Sequence, residues 1–331
     1  MFETDFNLWL QAFASPWLTA LMETVSFLGY EWFYIAATLF AAFALRLRPM
    51  LGVMLALLLA GVGTYAAKDG LQLPRPVQVD ARVLDNGQAN TQWLVERGGA
   101  TSFATLPSRQ AIDAERAATE PSFGFLSGHV ASATALCASL WLFFGVRSRW
   151  IRLGLVAWPV LMALSRMYLG KHFPGDVLGG AAAGLLAAMA AHWLWQPHPG
   201  RQRAVLVLAL ALCGLSLAWP PVHAETVGRL LGLAAAAALL ARGGFPEDHA
   251  SWPRRAARVA LALGLYAASH VLVGDLAAWG RWPRAHPMTI PLSALATCAV
   301  LYGTVLLATR LGCYRGAGSS VPPDATARVA P

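Results

Sequence analysis

An all-α, polytopic transmembrane helical bundle is the fold class this chain predicts, and three observations predict it. Of its 331 residues, 57% are hydrophobic and 13% charged, roughly half the charged fraction of a soluble domain, and the mean hydropathy is +0.51. Apolar runs of about bilayer-crossing length follow one another closely. The connections between them carry arginine on alternate sides, as the cytoplasmic loops of membrane proteins do.

The runs fall at 8–28, 31–46, 50–69, 128–146, 150–168, 176–196, 203–220, 225–241, 257–279 and 287–309. The first is interrupted by Pro16 and Glu23 and is expected to lie partly in the interface. The polar segment 77–120 is too short for an independent domain and reads as a cap over a site on its face. The tail 313–331, rich in Gly, Ser, Pro and Ala, is expected to be disordered. Glu3 and Asp5, where a signal peptide would be basic, argue against a cleaved leader. Cys137, Cys213 and Cys298 lie within apolar runs and Cys313 just beyond the last, so they read as small apolar side chains.

Orientation follows from the loop arginines. Arg46 and Arg48, Arg147 to Arg152, Arg201 and Arg203, Arg242 to Arg258, and Arg310 and Arg315 are expected in the cytoplasm with both termini. Arg281 and Arg284 fall opposite. A bacterial inner membrane is the simplest setting. The net charge of +8 arises from these loops, and without a basic stripe interleaved with aromatics a nucleic-acid partner is not expected.

Three stretches then share the side opposite the arginines. Lys68 ends the third run, with Arg75-Pro76 beyond it; Ser127-Gly128-His129 opens the fourth; Ser165–Asp176, holding Arg166, His172 and Asp176, joins the fifth and sixth. Each residue has a bland alternative. Asp176 and Ser127 can be N-caps, Arg166 and Lys68 snorkelling helix ends, Gly128 a tight helix contact, His129 interfacial and His172 an ordinary loop histidine. Together they form a different inventory. Three cations beside a helix N-terminus suit a phosphate carrying about −1.5 to −2 charges. A carboxylate four residues after a histidine can orient the imidazole, and a second histidine can donate a proton. Nothing has the spacing of a metal-ligand cluster, so neither metal nor cofactor is expected.

In spacing, order and residue type, Lys68 with Arg75-Pro76, then Ser127-Gly128-His129, then Ser165-Arg166 with His172 and Asp176 resembles the three-part signature of the type 2 phosphatidic acid phosphatase (lipid phosphate phosphatase) superfamily, in its integral membrane branch. The resemblance implies a six-helix core over residues 1–199 with its site at the extracytoplasmic surface, the periplasm in a bacterium, and leaves 200–312 as additional helices. It implies that His172 is the nucleophile forming a phosphohistidine, that Asp176 orients it, and that His129 protonates the leaving group. Lys68, Arg75, Ser127, Gly128 and Arg166 would hold the phosphoryl oxygens, without a metal. The family's usual proline is Leu126 here.

The implied substrate is a lipid phosphate or diphosphate within the bilayer; headgroup and oligomeric state stay open. A phosphotransferase passing the group to a lipid acceptor is the near alternative. The four extra helices also admit an inactive transporter or scaffold, and the vanadium-dependent haloperoxidases share the anion site but are soluble. His270 and Asp275, inside the ninth run, are expected to face the bundle interior or a wet path, since ionisable groups are costly at membrane depth.

Overall fold

The computed structural model describes residues 1–86, 93–103, 105–196, 198–220, 222–247, 251–282 and 286–314. The expected disordered tail beyond Tyr314, together with Arg284 and Arg315, lies outside the described residues. Among the described residues the chain is all-α, with one isolated bridge between Asp80 and Arg97.

The run at 8–28 forms no single helix. It divides at Pro16, whose ring supplies no amide hydrogen for a continuing helix, into α1 (Asp5–Gln11) and α2 (Pro16–Phe27). α3 (Glu31–Ala44) follows at a bend of 59°. α4 (Leu47–Leu71) runs on past Lys68 by one turn and leads to the short α5 (Pro76–Val79). α6 (Arg109–Ala117) lies in the polar segment, capped by Ser108 Oγ accepting from the Ala111 amide at 3.2 Å. Then come α7 (Gly128–Phe144), α8 (Arg149–Tyr168), α9 (Pro174–Leu194), α10 (Pro199–Ala218), α11 (Ala224–Gly243) and α12 (Trp252–Trp279). α13 (Thr289–Cys298) passes through a π-helical stretch, Ala299–Gly303, into α14 (Thr304–Arg310). Six of the described helical segments are long and apolar enough to cross a membrane, or seven if α2 and α3 form one bent span.

α4, α7 and α9 form the centre, packed on one another. α9 approaches α7 through glycine. A Cβ at Gly180 would stand 2.6 Å from Ser127 O, and one at Gly184 2.3 Å from Ala131 O, so only glycine allows these backbones to meet, in the manner of small residues four apart in membrane helices. α11 repeats the device: a Cβ at Gly228 or Gly232 would meet Ile290 O at 2.5 Å or Ala294 O at 2.4 Å, on α13. α8 and α2 flank one side of the centre. α11 against α4 and α12 against α3 join the later helices to the earlier ones. One apolar cluster runs through both, from Leu39 and Phe43 to Leu233 and Val305.

The ends of the bundle differ in character. At one, Arg149, Arg152 and Arg201 lie over the rings of Trp150, Trp141 and Trp193 at 5.0, 5.7 and 5.0 Å. Trp195 Nε1 donates to Arg48 O at 2.9 Å there, joining the start of α4 to the end of α9. The other end gathers the close of α4, the start of α7 and the α8–α9 turn.

Two expectations need correction. Arg258 is no loop residue: it is fully buried within α12, its guanidinium 4.2 Å from the centre of the Tyr314 ring. His270 and Asp275 do not face the bundle interior; both are exposed. The reason is length. At 1.5 Å per residue the 28 residues of α12 span about 42 Å, beyond the ~30 Å hydrocarbon core, and its buried residues (Arg258, Val259 and Ala262) all lie in its first half.

Replacing Gly184 by valine should therefore force α7 and α9 apart and destabilise the protein by about 1–3 kcal/mol. Gly154→Ala, where the added methyl meets nothing within 4 Å, should stay within about 1 kcal/mol of wild type. Thermal melts of the detergent-solubilised variants make the comparison.

Candidate active site

The three motifs meet at the end of the bundle opposite the tryptophan-capped arginines. Ser127 N donates to Asp176 O at 3.0 Å, fixing the start of α7 to the first turn of α9. Arg75 Nη1 donates to Lys171 O at 3.1 Å, fixing the segment after α4 to the α8–α9 turn. Lys68 Nζ reaches Phe123 O at 3.3 Å, on the strand of chain that enters α7. The Phe125–Leu126 peptide in that entry is cis.

His172 is 1% exposed, and its Nδ1 lies 3.2 Å from Asp176 Oδ2. α9 begins at Pro174, so Asp176 stands in its first turn and is not its N-cap. The same Oδ2 accepts from the Phe173 amide at 2.9 Å. One carboxylate oxygen therefore satisfies the helix entry and orients the imidazole, directing Nε2 away from Asp176.

The bland alternatives for the other residues fail on position. Ser127 precedes α7 but makes no side-chain cap; its Oγ is buried without a hydrogen-bond partner. Arg166 does not snorkel: it is 7% exposed, with Nη1 donating to Ser26 Oγ at 2.5 Å and Nε unpartnered. His129 packs edge-on to Tyr30, ring centres 5.1 Å apart, and its Nε2 is likewise unpartnered. Gly29 makes room for that ring, since a Cβ there would be 2.4 Å from His129 Cδ2. Gly128 opens α7, whose first-turn amides have no partner within the helix. Lone polar atoms this deep are uncommon. Ser127 Oγ, His129 Nε2 and Arg166 Nε suit an oxyanion or leaving group.

The cations divide by partner. Lys68 and Arg75 donate to backbone carbonyls and Arg166 to a hydroxyl. Among the described residues none of these three pairs with a carboxylate, so their charge stays available to a ligand. Lys171, the histidine's neighbour, instead holds Asp85 Oδ1 at 2.5 Å and is compensated.

Sequence reasoning missed the supports behind these groups. Arg75 Nε donates to Ser122 O and Oγ at 2.8 and 3.0 Å, and its amide to Gln78 Oε1 at 2.6 Å. Glu115 on α6 accepts from Gln78 Nε2 and the Ser122 amide, both at 2.5 Å. Segment 77–120 thus braces Arg75. A glutamate among polar neighbours gives no sign of this in sequence, whereas Gln11, a polar residue inside the first apolar run, does carry one.

A bundle of apolar helices that collects at one end three cations without a salt bridge, a carboxylate-oriented histidine and a second histidine is a membrane protein with a candidate anion-binding, acid–base site. Residues 49–199 match the family model of the PAP2 superfamily, which bears out the resemblance and includes all eight site residues. Among curated relatives, the lipid A 4'-phosphatase of Bacteroides thetaiotaomicron is 40% identical over 62 residues, 19% of this chain and 27% of that protein. The putative undecaprenyl-diphosphatase YbjG of Escherichia coli is 45% identical over 42 residues, 13% and 21% of the two lengths. The chain thus spans about a quarter of the curated relatives it matches. The crystal structure of Aquifex aeolicus LpxE aligns over 58% of this chain and 94% of its own, at 19% identity and TM-score 0.42.

Burial, and after it Arg75, Arg166 and Lys68, hold the protonation of His172 well below its ordinary 6.5. That direction favours the neutral imidazole. Its ring nitrogen shifts, assigned against His172→Ala in histidine-labelled protein, should not move between about pH 7.5 and pH 6, where an ordinary histidine is mostly protonated.

Proposed function

We propose that this chain hydrolyses a lipid phosphate or diphosphate, without a metal ion, through a phosphohistidine formed at the extracytoplasmic face. The observation that carries the reading is His172 held by Asp176 beside three cations, Arg166 buried and Lys68 and Arg75 half-buried, none of which forms a salt bridge with a carboxylate among the described residues. With Nδ1–H directed at Asp176, the Nε2 lone pair attacks phosphorus. The P–O bond to the leaving group breaks, and that oxygen takes a proton from His129. Water then attacks the phosphohistidine, returns a proton to His129 and releases phosphate as the N–P bond breaks. Lys68, Arg75, Arg166, Ser127 and the Gly128 amide hold the equatorial oxygens, where charge grows in the transition state.

The donor set supports metal-free chemistry. Among the described residues no three His, Cys, Asp or Glu side chains are grouped to hold an ion. The relatives, acting by name on a lipid A phosphate and on a polyprenyl diphosphate, suggest the substrate class. The extracytoplasmic assignment rests on the arginine-rich loops at the far end, and the inner membrane on the same reasoning. The helices after 199 are taken as an addition that contributes none of the reacting groups.

Purified protein should release phosphate from a panel of lipid A-type, polyprenyl diphosphate and phosphatidate substrates in the presence of chelator. His172→Ala should lower turnover by three orders of magnitude or more, on the order of losing a nucleophile, and His129→Ala by about 10²–10⁴. Normal turnover in His172→Ala, or abolition by chelator, would defeat the mechanism. Label passing to a lipid acceptor instead of water would identify a phosphotransferase.

The face is tested separately. Arg109, whose side chain is 95% exposed on α6, becomes a site for an impermeant thiol reagent as Arg109→Cys. Intact spheroplasts should label above the wild-type background. Labelling only after lysis would place the site on the cytoplasmic side.

A further inference from the structure

The turn that carries His172 is gripped from outside the 49–199 segment. α8 ends at Tyr168 in a buried setting, where the last carbonyls of a helix need partners. Backbone amides serve three of them: Leu169 N to Ser165 O at 2.9 Å, Lys171 N to Arg166 O at 3.0 Å, and Gly170 N to Met167 O at 3.1 Å. The Tyr168 and His172 carbonyls are met by side chains of α1. Gln11 Nε2 donates to Tyr168 O at 2.9 Å, and Asn7 Nδ2 donates to His172 O at 3.0 Å and to Met167 O at 2.8 Å.

The same row also holds the polar segment. Gln11 Nε2 donates to Leu84 O at 2.8 Å, and Leu84 N returns a bond to Gln11 Oε1 at 2.9 Å. Thr4 Oγ1, just ahead of α1, donates to Asp80 Oδ2 at 2.5 Å. Thr4, Asn7 and Gln11 lie three to four residues apart, on one helix face, and all three are buried. Phe6, Trp9 and Phe13 are exposed. α1 is thus amphipathic in reverse, with amides inward and aromatic rings outward.

We propose that Asn7 is a positioning residue for His172, that Gln11 secures the other end of the same turn, and that α1 sets the line of attack without touching the phosphoryl group. The proposal rests on the hydrolase reading above. Asn7 bonds the backbone of the nucleophile itself, between the two points fixed by Asp176 and Arg75. A misplacement of about 1 Å at such a site costs up to 10²-fold in rate, and supporting contacts hold reacting groups to within ~0.5 Å.

The test uses the full chain in detergent, with a short-chain soluble phosphate ester as substrate and inorganic phosphate as inhibitor. Asn7→Leu should lower kcat on the order of 10- to 100-fold. KM and phosphate inhibition should stay within about threefold, because the cations are untouched. Hydrogen exchange should quicken at the amides of Leu169–Phe173 and not at α7. Unchanged kcat in a folded variant, unchanged exchange, or phosphate inhibition weakened in step with kcat would each overturn the proposal. If Asn7→Leu does not fold, Asn7→Ala is measured in its place; if neither folds, α1 serves the fold as a whole and the proposal fails. Should wild type hydrolyse nothing, the hydrolase reading falls alone, because the exchange comparison still decides whether α1 holds the turn.

Discussion

The close approach of α9 to α7 is the constraint on which the rest of this structure depends. It needs glycine at 180 and 184, since any Cβ would stand within 2.6 Å of the facing backbone. With the two helices this close, Ser127 N reaches Asp176 O at 3.0 Å and two helix N-termini open onto the same space. Each contributes a positive dipole end. The site's potential therefore begins with backbone geometry, before any side chain is counted.

Onto that base the chain adds cations whose partners are neutral. A buried lysine or arginine is costly unless something shares its charge. Carbonyls and hydroxyls lower that cost without cancelling the charge, so Lys68, Arg75 and Arg166 keep their field for a ligand. Lys171 shows the alternative: paired with Asp85, it is a structural cation one residue from His172. The partner, more than position in the motif, separates a cation free of a salt bridge from a bracing one.

Much of the fold and most of the candidate site were legible because both rest on local patterns. Apolar runs mark helices, and three polar motifs interrupt them at one end of the chain's zigzag. What stayed hidden was non-local or a matter of degree. Pro16 was visible as an interruption, yet whether it bends a helix or ends it depends on what α1 packs against. Gln11, inside the first apolar run, and Asn7, just ahead of it, carried no motif, and their partners lie more than 150 residues away. Asp176 resembled a cap because caps and first-turn acids share residue types. Arg258 looked like a loop cation because the ring that covers it, Tyr314, comes from the far end of the described chain.

The length of α12 has a consequence for the setting of the whole molecule. A helix about 12 Å longer than the hydrocarbon core, anchored through its first half, must lean or protrude. The excess includes the start of α12 with Arg254 and Arg255, which can stand in the interface, and the apolar stretch that follows is fitted to the bilayer by tilt or by local thickening. Thickness then acts on α12 as a load on a strut, and the load is delivered to α3 and α13, its neighbours. The glycine seam of α7 and α9 lies further in, behind α4, which packs on α3. Membranes of different thickness would thus act first on the outer helix, and on the charges at the site only through α3 and α4.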